Sequence, residues 1–227
     1  MARLERGFVW AGGTIFVLSL AMTVWFEVVA WRHEKPFAGW SVVLYDAVLF
    51  SAFALHHSLF ARPRIKARLS AVIPPRLVRS VYVWTASLLL IVVLAAWSDI
   101  GGVIYRTSGW LTVLYAAIQL SGVWTIAGAV RAIDPLELAG IRQEAGSQDL
   151  QTKGPYGLVR HPLYLGWILV VFGAAQLTGD RLAFAVITSS YLCIAVPWEE
   201  QSLDRAFGDA YARYKKRVRW RIIPYVY

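Results

Sequence analysis

The chain has 227 residues, of which 58% are hydrophobic and 16% charged, and its mean hydropathy is +0.51. A soluble globular domain carries about 25% charged residues. This composition therefore excludes an ordinary soluble protein. The formal net charge of +9 at pH 7 raises the question of an acidic partner, such as nucleic acid or a membrane surface.

Long apolar segments predict helices that cross a membrane, since a hydrocarbon core of about 30 Å needs about 20 apolar residues. Four segments of this kind cover residues 8–31, 40–61, 81–97 and 110–130. Two shorter ones, at 163–178 and 182–198, are separated only by three residues. At roughly 24–26 Å each, they predict a helical hairpin that crosses the bilayer obliquely or incompletely.

The residues after the hairpin predict an amphipathic helix. Leu203, Phe207, Tyr211, Tyr214 and Val218 recur at near-helical spacing with basic residues between them, a pattern typical of a helix lying along the cytosolic leaflet. The predicted fold class is an all-α polytopic membrane protein with four transmembrane helices, a C-terminal helical hairpin and an amphipathic cytosolic tail helix.

The chain contains no repeat, low-complexity segment or flexible linker. We expect one integral-membrane domain over residues 1–227, with a helical membrane region at 1–147 and a motif region, hairpin and tail at 148–227. The first segment lacks a small-residue cleavage site and predicts a retained anchor. A single cysteine, Cys193, excludes an intramolecular disulfide, and four histidines without a repeated His box predict no metal site.

The basic residues predict the orientation in the membrane. If the amino terminus is cytosolic, all of the 23 Lys and Arg residues lie on the cytosolic side except Arg32, Lys35, Arg106 and Arg181. The positive-inside rule expects this asymmetry. We therefore expect an integral protein of a bacterial inner membrane with both termini cytosolic. Nucleic-acid binding is disfavoured because the charges are spread over three loops and a tail beside membrane helices.

Four polar segments follow or precede the apolar ones on the predicted cytosolic side. They read "LHHSLFARPRIK", "AIDPLELAGIRQ", "GPYGLVRHPLYLG" and "PWEEQSL". Their common side predicts a site at the boundary between membrane and cytosol. Such a site is open to a water-soluble molecule from one side and to lipid-phase molecules from the other.

The segment "GPYGLVRHPLYLG" combines turn residues with potential ligand contacts. Pro162 suits the first turn of a helix, and His161 and Tyr164 would then flank a helix N-terminus whose free N–H groups can meet a polar ligand. The alternative is an interfacial belt, with Tyr156 and Tyr164 at headgroup level and Arg160 on a lipid phosphate.

Glu199 and Glu200 leave the hairpin as adjacent carboxylates. Neighbouring residues on a helix point about 100° apart, so we expect one glutamate to form a local ion pair and the other to meet a cationic group of a ligand. A pair of simply solvated carboxylates is the alternative. Similarly, His56 or His57 is either a base that deprotonates a substrate or an interfacial packing residue.

Taken with the hairpin, "GPYGLVRHPLYLG" and "EEQSLDRAFGDAYARYKKRV" resemble the superfamily of isoprenylcysteine carboxyl methyltransferases and phospholipid methyltransferases. The resemblance covers about residues 148–224. The upstream segments "HSLFARPRIK", "RSVYVWTASLLL" and "IDPLELAGIRQ" look like those of bacterial methanethiol S-methyltransferases and of related membrane proteins.

The resemblance implies the cofactor S-adenosyl-L-methionine. By position, it implies cofactor contacts from Gln148, Asp149, Leu150, Gln151, Tyr156, His161, Pro162, Leu163, Tyr164 and Glu199. We expect the catalytic residues to be His56, His57, Arg142 and Glu200. One departure matters: the isoprenylcysteine enzymes carry a substrate-contacting Arg one helical turn before the first Glu, and that position here is Ala195.

The expected function is S-adenosylmethionine-dependent methylation of a small or lipid-phase nucleophile, foremost a thiol. The alternatives are methylation of a prenylcysteine carboxylate or a phospholipid amine, or a non-catalytic membrane accessory with the same fold. The expected partners are the substrate and membrane lipids, with no nucleic acid; the oligomeric state is left open.

Overall fold

The computed structural model of the protein describes residues 3–60, 62–142 and 149–227, which are mostly helical. The helices are α1 (Arg3–Val28), α2 (Trp40–Phe60), α3 (Pro63–Leu69), α4 (Pro75–Ala96), α5 (Trp110–Ala132), α6 (Pro135–Leu138), α7 (Pro162–Phe172), α8 (Gly179–Phe207) and α9 (Asp209–Arg217). Two short 3₁₀ turns lie at Ala30–Arg32 and Gly154–Gly157, and two strands are β1 (Val103–Arg106) and β2 (Gln176–Thr178).

Within the described ranges, five helices are long and apolar enough to cross a membrane: α1, α2, α4, α5 and α8. Their outer faces carry large exposed apolar side chains, for example Trp124 and Val113, which are 76% and 69% exposed. A soluble monomer rarely exposes contiguous apolar faces of this kind, whereas lipid covers them in a bilayer. The chain is therefore an integral membrane protein.

The C-terminal hairpin differs from the predicted pair of similar short helices. Its first arm, α7, has only 11 residues, whereas α8 has 29 residues and continues through Pro197 to Phe207. The end of the first predicted segment instead forms β2, which pairs antiparallel with β1. The hairpin is thus asymmetric, and its second arm alone reaches spanning length.

The chain divides into two compact units. One comprises Met1–Gly102 and Pro135–Gly146, and the other Val103–Asp134 and Ser147–Tyr227. In the first unit, α1 packs along α4, where Phe8 stacks on Trp84 at 5.6 Å between ring centroids.

The segment around α6 is tied to α4 within the first unit. Ser80 Oγ donates a hydrogen bond to the carbonyl oxygen of Gly140 at 2.6 Å, and Arg79 Nε donates to that of Glu137 at 2.6 Å. Asp46 of α2 is fully buried and accepts a hydrogen bond from the backbone N–H of Ser98 at 3.0 Å. Its carboxylate is therefore fixed within the first unit by a backbone hydrogen bond.

In the second unit, α5 packs closely on α7 because glycines face each other. A Cβ built on Gly166 would lie 2.7 Å from the carbonyl oxygen of Gly122, and one built on Gly122 would lie 2.7 Å from that of Gly166. Small residues at such a crossing let two helix backbones approach within a membrane. Trp167 of α7 also donates a hydrogen bond to Thr188 Oγ1 of α8 at 2.9 Å.

The predicted single tail helix is interrupted at Gly208, whose φ of 49° is the left-handed region that glycine favours. The chain enters α9 directly afterwards. Tyr211 and Tyr214 are buried in a cluster with Leu203, Phe207 and other residues of this unit. These two tyrosines therefore pack on protein, whereas the sequence pattern had placed them against the leaflet.

Candidate functional site

The motif "GPYGLVRHPLYLG" forms the entry to α7. Gly154 adopts a φ of 61° and begins a 3₁₀ turn, and Pro155 packs on Gly128 of α5, where a Cβ would lie 2.9 Å from its Cγ. The chain then reaches α7, which begins at Pro162 with His161 as the preceding N-cap residue. The predicted helix N-terminus at this position is confirmed.

His161 lies between the two glutamates of α8. Its Nδ1 is 3.4 Å from Glu199 Oε2, and its Nε2 is 3.5 Å from Glu200 Oε1. The ring is almost fully buried and stacks on Tyr164 at 5.3 Å between centroids. The imidazole is therefore fixed on both edges by acidic groups and on one face by an aromatic ring.

Glu199 and Glu200 have different environments. Glu200 is buried and forms ion pairs with Arg160 at 2.6 Å and Arg221 at 3.2 Å. Glu199 keeps 45% of its side chain exposed and accepts a hydrogen bond from the Tyr164 hydroxyl at 2.6 Å. Glu200 is thus the glutamate with local ion pairs, and Glu199 is the one that a ligand can reach.

Arg160 connects the motif to the last residues of the chain. Its Nη1 donates to the carbonyl oxygens of Val218 and Arg219 at 2.8 and 2.7 Å, and its backbone N–H donates to that of Trp220 at 2.9 Å. The side chain is only 7% exposed. The alternative that placed Arg160 on a lipid phosphate is therefore wrong.

The C-terminal segment from Val218 to Tyr227 continues this support. The backbone N–H of His161 donates to the carbonyl oxygen of Arg221 at 2.8 Å, and Arg221 also donates to the Tyr227 hydroxyl at 3.1 Å. Sequence reasoning missed Arg221. The only available signal was the run of basic residues in the tail, which was assigned to topology.

The electrostatic environment favours charged His161. Burial lowers the pKa of His161, but the nearby carboxylates of Glu199 and Glu200, by their contacts with the ring and their negative charges, raise the pKa above its usual value overall. Burial raises the pKa of Tyr156, with a further contribution from Glu199, and it raises the pKa of Tyr214 to about 12. Both phenols therefore stay neutral hydrogen-bond donors across the physiological range.

The other predicted cofactor residues lie around His161 and Glu199 or in the segment before them in the chain. Tyr156 is half-buried, and its carbonyl oxygen accepts a hydrogen bond from Tyr214 at 2.8 Å. Leu150 packs on the cluster of Tyr211 and Tyr214. The remaining ones are Pro162 and Leu163 in the first turn of α7, Asp149 and Gln151 in the exposed segment upstream, and Gln148, which lies outside the described residues.

The candidate catalytic residues His56, His57 and Arg142 belong to the first unit. The Tyr82 hydroxyl lies 2.7 Å from His57 Nδ1, and His57 lines a cavity of about 610 Å³ in that unit. His56 stacks on Phe60 at 4.3 Å, and Arg142 is exposed. Of the two histidines, His57 has the polar partner and the open space that a base requires.

The geometry of the second unit suits a ligand that carries a positive group. A partly exposed carboxylate, Glu199, stands beside two stacked rings, His161 and Tyr164, at the start of α7. A carboxylate binds an ammonium through charge-assisted hydrogen bonds, and aromatic faces attract cations. Among the residues that the structure describes, no group of three His, Cys, Asp or Glu side chains is placed to hold a metal ion.

Comparison with known proteins assigns the family. The family model described as phospholipid methyltransferase matches residues 100–210. The methanethiol S-methyltransferase 2 of Bradyrhizobium diazoefficiens is 34% identical over 185 residues, covering 78% of this chain and 71% of the relative. A methanethiol S-methyltransferase of Crocosphaera subtropica is 33% identical over 196 residues, covering 82% and 76%.

A more distant relative matches only one region. The protein-S-isoprenylcysteine O-methyltransferase of Schizosaccharomyces pombe is 35% identical over 72 residues, which is 30% of each chain. No solved structure matches significantly. The extent of the bacterial matches, the family model and the apolar helices agree. The chain therefore belongs to the family of integral membrane methyltransferases that includes the methanethiol S-methyltransferases.

Proposed function

We propose that this membrane methyltransferase uses S-adenosylmethionine to methylate a thiol. One observation carries the proposal: the carboxylate of Glu199 on α8 is partly exposed and contacts Tyr164 and His161, which lie at the start of α7. S-adenosylmethionine, when bound, supplies a methyl group activated by a sulfonium, so that the acceptor displaces a good leaving group. The protein then has to bind the cofactor and the acceptor, align them and exclude water.

The residues of the second unit fit such a cofactor. Glu199 can accept hydrogen bonds from its ammonium, and Tyr156, His161 and Tyr164 offer aromatic surface for its adenine or its cationic centre. The N–H groups at the start of α7, near Pro162 and Leu163, can meet its carboxylate. We assign Gln148, Asp149, Leu150 and Gln151 to the same site on the resemblance alone.

Glu200 has a positioning role in this proposal. Its two oxygens are engaged by Arg160 and Arg221, so it is not available as a base in this arrangement. Instead it fixes Arg160 through their ion pair. It also pairs with Arg221, whose carbonyl oxygen accepts a hydrogen bond from the backbone N–H of His161. We therefore propose that Glu200, which the sequence predicted as a catalytic residue, contributes by holding the cofactor site together.

A thiol acceptor is favoured by two observations. The similar bacterial proteins are named methanethiol S-methyltransferases. In addition, Ala195 supplies no cation for a prenylcysteine carboxylate, and a buried carboxylate without a partner is costly. A neutral thiol can enter from the bilayer and lose its proton only at the site. We propose His57, oriented by Tyr82, as the group that accepts this proton, with His56 and Arg142 as further acceptor-side candidates.

The test is a comparison of methyl acceptors. Purified protein in liposomes is given S-adenosylmethionine with a labelled methyl group and, separately, methanethiol, a farnesylcysteine analogue and phosphatidylethanolamine. We expect transfer to the thiol, at a rate that rises with pH toward the thiol pKa. His57→Ala should lower that rate by about 100-fold, the lower end of general-base contributions, and the control His33→Ala should leave it unchanged.

Two results would reject the proposal. Transfer only to the prenylcysteine or only to the lipid amine would assign one of the alternative acceptors. Absence of transfer to all three acceptors, with no binding of S-adenosylhomocysteine, would assign a non-catalytic role and remove the proposed cofactor.

A further inference from the structure

The 3₁₀ turn before α7 does not satisfy the backbone carbonyl of Tyr156. In a continuing helix this oxygen would accept a hydrogen bond from the N–H of Val159 or Arg160. The N–H of Val159 donates instead to the preceding carbonyl of the turn at 3.3 Å, and that of Arg160 donates to Trp220 at 2.9 Å. Among the residues that the structure describes, the donor to Tyr156 is the Tyr214 hydroxyl, at 2.8 Å. A partly buried carbonyl needs such a donor, so this bond holds the turn in place.

Tyr214 comes from a firmly packed part of the second unit. Its side chain is buried, and its ring centroid lies 5.9 Å from that of Tyr211. The adjacent residue Lys215 ties α9 to α8, since its Nζ donates to the two carboxylate oxygens of Asp204 at 2.7 and 2.8 Å. The hydroxyl of Tyr214 is therefore a fixed point against which the turn is positioned.

The side chain of Tyr156 extends this arrangement to the candidate cofactor site. Burial raises the pKa of Tyr156, and the negative charge of Glu199 raises it further. Because the interaction between charges weakens with distance, the Tyr156 phenol belongs to the surroundings of the Glu199 carboxylate. Tyr164 and His161 contact the same carboxylate from the start of α7. The turn thus adds a further aromatic side chain to the group around Glu199.

We infer that Tyr214 is a positioning residue of the cofactor site and acts on the ligand through Tyr156. Its hydroxyl fixes the backbone of the turn, and the turn holds the Tyr156 ring beside Glu199. Tyr214 is itself only 4% exposed, so it acts through Tyr156 rather than by contact with a ligand. The inference rests on the proposed function, because it takes Tyr156 and Glu199 as residues that bind S-adenosylmethionine.

Calorimetry with S-adenosylhomocysteine measures the effect on binding. Tyr214→Phe keeps the buried ring and removes only the hydroxyl, so the carbonyl oxygen of Tyr156 loses its donor. We expect the affinity to fall about tenfold. The matched control is Tyr105→Phe, which removes a hydroxyl that donates to the carbonyl oxygen of Ala174 at 3.0 Å, beyond the opposite end of α7. Both variants should lower the melting temperature to a similar extent, but the control should bind normally.

A second background separates positioning from general stabilisation. Tyr156→Leu removes the aromatic face of Tyr156 and keeps an apolar side chain of substantial size. If Tyr214 acts through Tyr156, the effects of the two substitutions are not additive. Tyr214→Phe should then lower the affinity by less than about twofold in the Tyr156→Leu background. Its effect on the melting temperature should be similar in both backgrounds.

A fluorine label measures the position of Tyr156 without any cofactor. Tyr156 is replaced by meta-fluorotyrosine, and the fluorine NMR spectrum of the full-length protein is recorded in detergent. Tyr214→Phe should shift or broaden the signal, because the turn loses the bond that fixes it. Tyr105→Phe should leave the signal unchanged.

Three results would overturn the inference. The first is an unchanged fluorine signal in Tyr214→Phe. The second is an affinity of Tyr214→Phe equal to that of the original protein or of Tyr105→Phe. The third is a fall in affinity that is as large in the Tyr156→Leu background as in the original protein. Absence of binding by the original protein would instead reject the proposed function, and the fluorine signal would still decide whether Tyr214 positions Tyr156.

Discussion

The adjacent residues Glu199 and Glu200 illustrate how a helix gives neighbouring side chains different roles. On α8 they point about 100° apart, so Glu200 meets Arg160 while Glu199 stays partly exposed beside Tyr164. The sequence predicted that the two would separate in this way. It did not predict which would pair locally, because Arg160 lies 40 residues away along the chain.

The pH dependence of stability tests the charge on His161. Because the pKa of His161 is raised in the folded protein, its charged form stabilises the fold below the unfolded pKa of about 6.5, and this contribution is lost as the pH rises through the folded pKa. His161→Gln should therefore reduce the melting temperature more at pH 6 than at pH 9. We expect a difference of about 2–4 °C between the two effects, measured by thermal unfolding in detergent.

His33→Gln is the matched control, since His33 is exposed in the first unit. Because its side chain is exposed, its replacement should change the melting temperature little. A larger effect of His161→Gln at pH 9 than at pH 6 would show that burial, rather than the two carboxylates, determines the protonation of His161.

At the scale of helices, the close crossing of α5 and α7 explains why the last residue of "GPYGLVRHPLYLG", Gly166, is a glycine. Gly166→Ala would place a Cβ 2.7 Å from the Gly122 carbonyl oxygen and 3.0 Å from the Ile126 backbone nitrogen. Backbone atoms cannot move aside as a flexible side chain can, so we expect a loss of about 1–3 kcal/mol in the free energy of unfolding. Thermal unfolding of the variant in detergent measures it.

Gly7→Ala provides the control for this substitution. A Cβ on Gly7 in α1 would have no atom within 4 Å, and alanine has the higher helix propensity. The variant should be as stable as the original protein or slightly more stable. Equal stability of Gly166→Ala and Gly7→Ala would contradict the close backbone contact between α5 and α7.

The lengths of the apolar segments predicted the long helices correctly, but they did not predict the pairing of β1 with β2 or the break in the tail helix. Each of the first four segments forms one helix, because a long apolar segment has no other way to satisfy its backbone hydrogen bonds in lipid. The pairing of β1 with β2 was not predicted, since it joins segments about 70 residues apart. The break at Gly208 was also missed, because the apolar spacing continues across it.

For the whole molecule, the uneven distribution of basic residues predicts the orientation in the membrane. With both termini cytosolic, Arg64 lies inside and Arg106 outside. Cys193 is first replaced by Ser, and single cysteines are introduced as Arg64→Cys or Arg106→Cys at these exposed positions. In intact cells, a membrane-impermeant maleimide should label position 106 and should reach position 64 only after lysis. Labelling of position 64 from outside would invert the topology.

Sequence patterns predicted the candidate site residues but not the residues that hold them in position. The motif around His161 and the pair Glu199 and Glu200 are recognisable because their residue types are unusual beside apolar helices. The supports from Arg221 and Tyr82 were not predicted. They carry no local signal, since their partners Glu200 and His57 are 21 and 25 residues away.

The proposal that Glu199 binds the cofactor is tested most directly by the affinity of the Glu199→Gln variant for S-adenosylhomocysteine. This affinity is measured by calorimetry beside that of the original protein. The original protein should bind one equivalent. Glu199→Gln should bind about 10- to 100-fold more weakly, equivalent to roughly 1.5–3 kcal/mol for one charged hydrogen bond. Asp209→Asn, which removes another exposed carboxylate from this unit, should bind normally. Unchanged affinity in a folded Glu199→Gln variant would contradict the assignment of this site to the cofactor.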